Sequence, residues 1–166
     1  WFKRIAMLDV TVLAGLYTLR IIGGAVAIAV PLSFWLLAFS MFVFLSLAML
    51  KRYTELAAMA ASGRDRAQGR GYATADLPLL QSLGGASGFI AVLVLALYIN
   101  SPDSVELYSR PQLLWLLCPL LLYWVGRAWA VAHRGRMHDD PVVFAVTDRV
   151  SQAVALLCGL VVLGAI

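Results

Sequence analysis

Apolar residues run in long blocks along this chain, interrupted by a few short polar stretches. Five blocks are apolar enough to predict membrane-spanning helices, at residues 8–30, 33–50, 86–99, 112–132 and 142–166. A spanning helix needs roughly 20 apolar residues, so the 86–99 block is short unless the residues before it join the helix. Pro31 ends the first block, and Asp139 or Asp140 followed by Pro141 marks a helix start. There the carboxylate caps free N–H groups, and proline's missing donor costs nothing at the first helical position. The prediction is an all-α, polytopic transmembrane bundle of five spans forming a single domain over residues 1–166. Its largest polar segment, 51–85, reads as a cap loop.

Composition agrees. Of the 166 residues, 62% are hydrophobic and 13% charged, with a mean hydropathy of +0.86. A soluble domain carries about twice that share of charge, so disorder and an ordinary cytosolic domain are excluded. The net charge of +4 is no nucleic-acid footprint, because the basic residues flank the spans. Lys3 and Arg4, the 51–85 segment (Lys51, Arg52, Arg64, Arg66, Arg70) and the 133–141 turn (Arg134, Arg136) alternate with the neutral Pro31 turn and the acidic 100–110 loop. The positive-inside rule puts the basic segments in the cytoplasm. Cys118 and Cys158 lie in apolar runs without metal-ligand or CxxC spacing and read as packing residues. Trp1, with no signal peptide ahead of the first span, suggests a portion of a longer chain.

Charges inside apolar blocks carry the functional signal, because an ionisable residue at the bilayer centre costs at least about 2.5–3.5 kcal/mol. Arg20 lies near the middle of the first block, and Asp9, Tyr17 and Gly24 share its helical face, a polar stripe running inward from the cytoplasmic end. At the exit of the second block stands Lys51-Arg52-Tyr53-Thr54-Glu55, where Lys51 and Glu55 are spaced to pair on one face. Asp148 and Arg149 sit two turns into the fifth block. Arg127 reads as a snorkelling side chain, and His133 and His138 as interfacial. Gly69-Arg70-Gly71-Tyr72, followed by Asp76, is a segment that could wrap a phosphate. Gly84 and Gly88 have the GxxxG spacing of close helix packing. Arg20, Lys51, Arg52, Arg70 and Arg149 thus converge on one mouth of the bundle, with Asp9, Glu55, Asp76 and Asp148 among them. That mixture suits an anionic ligand such as a diphosphate, and the apolar walls suit a lipid tail. An enzyme joining a phosphorylated molecule to a lipid, or a transporter of an organic anion, would want this arrangement.

Leu19-Arg20-Ile21-Ile22-Gly23-Gly24-Ala25, Ser33-Phe34-Trp35, Lys51-Arg52-Tyr53-Thr54-Glu55-Leu56, and Asp140-Pro141 through Ala145 to Asp148-Arg149 follow one another in an order that resembles the C-terminal half of the UbiA superfamily of membrane prenyltransferases. The closest branch is the decaprenyl-phosphate phosphoribosyltransferase-like one. The resemblance implies the last five helices of a nine-helix bundle in a bacterial inner membrane, with active-site loops in the cytoplasm. It implies phosphoribosyl transfer from phosphoribosyl diphosphate to a polyprenyl phosphate, with Mg2+ and release of diphosphate. The main magnesium ligands, in an Asn/Asp-rich motif, would lie in the upstream half of the same enzyme, so this segment alone is expected to be inactive. The DxxxD that most members carry in the second motif is missing, which favours the phosphoribosyl branch. On this resemblance Arg20, Lys51, Arg52 and Glu55 serve phosphate binding, while Tyr17, Tyr72, Asp76, Asp148 and Arg149 line the mouth. Two alternatives stay open: an aromatic prenyltransferase using a polyprenyl diphosphate and an aromatic co-substrate, and a non-enzymatic membrane subunit or half-transporter.

Overall fold

A computed structural model describes residues 7–63, 71–137 and 140–166. Its helices are α1 (Leu8–Ala27), α2 (Phe34–Ala61), α3 (Leu77–Ile99), α4 (Pro102–Leu107), α5 (Leu117–His133), α6 (Pro141–Thr147) and α7 (Arg149–Ala165), with 3-10 turns at Thr74–Asp76 and Pro111–Leu116. Four helices, α1, α2, α3 with its leading turn, and α5 with its leading turn, are long and apolar enough to cross a membrane. The bent pair α6–α7 makes a fifth if counted as one span. Leu19, Phe34, Leu93, Leu97 and Leu163 stand exposed on the outside, where a bilayer would replace water.

Three boundaries differ from the sequence reading, each for a physical reason. Ser33 caps α2, its hydroxyl accepting from the Leu36 N–H at 3.4 Å, and the helix runs on through Ala61. Its 28 residues extend about 42 Å at 1.5 Å per residue, beyond a hydrocarbon core of about 30 Å. Residues 51–61 of the expected cap loop are therefore helix. The other flank of that segment is helical as well, because Pro78 is tolerated in the first turn of α3. The short third block thereby gains the length it lacked.

The third difference is the fifth block. Asp148 adopts an extended conformation (φ −73°, ψ 126°) and its carboxylate accepts from the Ser151 N–H at 2.8 Å. It caps a new helix instead of continuing the old one, and α6 and α7 meet at a 73° bend. Gln152 Nε2 donates to the freed Val146 carbonyl at 2.9 Å, answering one of the acceptors that the break exposes. Asp140 and Pro141 begin α6 as expected, Asp140 accepting from the Val142 N–H at 3.0 Å.

The core lies where α2, α3 and α5 meet. Gly84 and Gly88 are buried there, and a Cβ on Gly84 would overlap the Trp129 ring while one on Gly88 would sit 2.5 Å from Val125. The close approach lets Ser46 donate to the Gly84 carbonyl at 2.7 Å and Ser87 to the Phe42 carbonyl at 2.9 Å. Trp129 Nε1 completes the junction by donating to Ser46 at 3.2 Å. The GxxxG spacing is a packing device, as the sequence suggested.

Candidate functional site

Antiparallel connections bring the start of α1, the last third of α2, the approach to α3, the end of α5 and α6 to one end of the bundle. The charged side chains collect there. Arg52 is 8% exposed; its guanidinium pairs with Asp9 at 2.6 Å and with Glu55 one turn on. Tyr72, also buried, donates its hydroxyl to Asp9 at 2.6 Å and accepts from the Met7 N–H at 2.7 Å. Its ring lies 5.7 Å from the Arg52 guanidinium. Burial, reinforced by the hydrogen bond to Asp9, raises the Tyr72 pKa well above the usual phenol value, so the hydroxyl stays protonated and tied to α1.

Lys51, one residue from Arg52, points to a different partner. Its ammonium pairs with Asp140 at the start of α6, and its side chain is 41% exposed. Burial pushes the Asp140 pKa up, but the Lys51 hydrogen bond, the Val142 N–H and the Lys51 charge together hold it below the ordinary carboxylate value. Beside this pair, Tyr53 and His133 share a hydrogen bond of 3.0 Å. Arg127 forks onto Asp148 with bonds of 2.7 and 3.0 Å, and its guanidinium lies 5.6 Å from the Phe144 ring.

Arg52, Glu55 and Tyr72 thus come together with Asp9, while Lys51, the neighbouring residue on α2, turns to Asp140. The Lys51–Glu55 pairing gives way to Lys51–Asp140 and Arg52–Glu55. Arg127 does not snorkel away; it clamps the helix break through Asp148. Arg149, exposed on the first turn of α7, and Asp76, which accepts from the Ala73 N–H at 2.9 Å, stand outside the network. Tyr17 stacks on Phe44 at 5.1 Å, one side of it facing Arg20, whose guanidinium lies 5.3 Å from its ring. Arg20 itself is eleven residues beyond Asp9, about 16 Å along α1, and does not join the cluster. Arg70 and His138 lie outside the described residues. Asp140 as the partner of Lys51 and Arg127 as the partner of Asp148 escaped the sequence reading. The one signal for Asp140 was its place before Pro141, which announces a cap and says nothing of a lysine 89 residues away.

Among the described residues no group of three or more His, Cys, Asp or Glu could hold a metal, and Asp9, Glu55, Asp140 and Asp148 each face a cation instead. These residues do not fit a magnesium ion of their own. At the opposite end of the bundle a cavity of about 750 Å³ opens between α2, α3, α5 and α7, walled by Trp35, Phe39, Tyr98, Leu121, Cys158 and their neighbours.

The chain is 38% identical to the uncharacterized protein y4nM of Sinorhizobium fredii over 156 residues, which are 93% of this chain and 30% of that protein. It is 36% identical to the nodulation protein NoeC of Azorhizobium caulinodans over 142 residues, 86% of this chain and 46% of NoeC. It therefore spans less than half the length of these curated relatives. No family model matches the chain, and no solved structure matches it.

Proposed function

We propose that this chain is part of an integral-membrane transferase of the UbiA type, joining a polyprenyl lipid to a polar partner with release of diphosphate. The preferred reaction is transfer of a phosphoribosyl group from phosphoribosyl diphosphate to a polyprenyl phosphate. In it a phosphate oxygen of the lipid bonds to C1 of the sugar as the C1–O bond to diphosphate breaks. One observation carries this reading: Lys51 is a half-exposed ammonium at the charged end of an otherwise apolar bundle. An ammonium has three donors; Asp140 takes one, which leaves others for a phosphate. Cations held ready where negative charge develops on a leaving group are the usual means of speeding such a step. Arg52, enclosed by Asp9 and Glu55, serves to hold α1 and α2 in register around Lys51. The clustering of basic residues in the segments at this end supports a cytoplasmic position for it.

The test is transfer by the full natural protein, with Mg2+, from labelled phosphoribosyl diphosphate to polyprenyl phosphate. A labelled lipid product, with its rate cut about 10²-fold in Lys51→Ala, is the expected result. No product from a folded chain that instead consumes polyprenyl diphosphate would favour aromatic prenylation. A second reading, a non-enzymatic membrane subunit, draws on the fact that Lys51, Arg52 and Arg127 are each matched by a carboxylate. It predicts turnover with neither donor.

A further inference from the structure

The structure contains two kinds of helical glycine, and two of the open kind stand beside Arg20 in α1. Gly84 and Gly88 are used: any side chain there would strike Trp129 or Val125. Like Gly15, Gly85, Gly126 and Gly159, Gly23 and Gly24 in α1 are open, since a Cβ at either meets nothing within 4 Å. Both have ordinary helical backbone, so no turn requires them. Glycine inside a helix is unfavourable relative to alanine, and no contact among the described residues offsets that cost.

The same face carries Arg20. Leu16, Arg20, Gly23 and Ala27 follow one another at spacings of four, three and four residues, the seam along which a second helix lies against a first. All four are exposed, on a helix in which only Asp9, Val10 and Ala14 are buried. Arg20 lies within a helix long and apolar enough to cross a membrane, and its one contact among the described residues is the face of Tyr17. Intramembrane arginines face a protein interior or a water-filled cavity and pair there, rather than facing lipid. Small residues beside such a group let a second backbone approach closely.

We propose that the Leu16–Arg20–Gly23–Ala27 seam of α1 is a docking surface for a transmembrane helix outside these 166 residues. That helix carries an aspartate or glutamate within reach of Arg20, and a smooth, small-residue surface opposite Gly23 and Gly24. Charge complementarity sets the carboxylate, and the open glycines set the close approach. The relatives have ample further chain, since this one covers 30% and 46% of them. The inference does not depend on the transferase reading.

The test is photo-crosslinking of the full natural chain in its own membrane, with a benzophenone amino acid replacing Gly24 and, as a control on an outer face, Leu97. Mass spectrometry of the adduct identifies what lies there. The proposal expects Gly24 adducts on a transmembrane peptide that holds an Asp or Glu, with few from Leu97. It expects, too, that Arg20→Glu lowers the yield of folded protein at least tenfold, and that changing the identified acidic residue to Arg restores it. Adducts to lipid alone, to a helix without a carboxylate, or to a second copy of these 166 residues would each overturn it. So would an Arg20→Glu protein that folds as well as the parent.

Discussion

The two ends of this bundle are built on opposite principles. At one, Asp9, Arg52, Glu55 and Tyr72 interlock through directional bonds, and Lys51–Asp140 and Arg127–Asp148 fix α6 and α7 to their neighbours. At the other, Trp35, Phe39, Tyr98 and Leu121 wall a cavity with surfaces that have no preferred direction. A buried charge has one acceptable arrangement and a heavy cost otherwise, whereas apolar walls accept any occupant of suitable shape. The charged end is thus suited to placing reacting groups, and the apolar end to holding a flexible chain.

Substitutions that attack each end should separate them. The largest effect is expected of Arg52→Ala, which strands the buried Asp9 carboxylate. Breaking a buried pair of this kind costs about 3–5 kcal/mol, and thermal unfolding in detergent should show it, with Arg52→Lys recovering part of the loss. Gly84→Ala comes next, since its methyl must displace the Trp129 ring and with it the bond to Ser46; overpacking typically costs about 1–3 kcal/mol. At the apolar end, Gly159→Leu projects into open space and should shift the unfolding midpoint by less than the equivalent of about 1 kcal/mol. A large loss there would show the cavity wall to be as tightly determined as the charged end.

The smallest effect concerns acid. The folded-state pKa of Asp140 lies below its ordinary value, so its contribution is fully present above about pH 4 and fades as the pH falls through the folded value. Asp140→Asn should flatten that part of the stability profile, lowering stability modestly at neutral pH and converging with the parent as the pH falls through the folded value. An unchanged acid limb would mean that the pair with Lys51 is not maintained in solution.

Most of the architecture was legible because spanning helices announce themselves as long apolar runs, and α1, α2 and α5 lie where those runs are. The end of α2 was not, because hydropathy stops at the membrane surface while the helix continues through Lys51 to Ala61. The break at Asp148 was hidden for the opposite reason. Residues 142–166 read as one apolar run, and only the side-chain cap on Ser151, supported by Arg127 from α5, turns the chain. Spacing singled out Lys51 and Glu55 as a pair, whereas Glu55 takes Arg52, three residues before it. The partners of Lys51 and Arg127 could not be found from spacing, since both are brought in by the fold across 89 and 21 residues.

Lys51 is proposed to mark a phosphate-binding mouth separate from the apolar cavity. Equilibrium binding of phosphoribosyl diphosphate, with Mg2+, to the full natural protein in detergent tests this, compared across Lys51→Ala and Gly159→Leu. Saturable binding, weakened at least tenfold by Lys51→Ala and unaltered by Gly159→Leu, is the expected result. Absence of binding to a folded chain, or equal binding by Lys51→Ala, would contradict it.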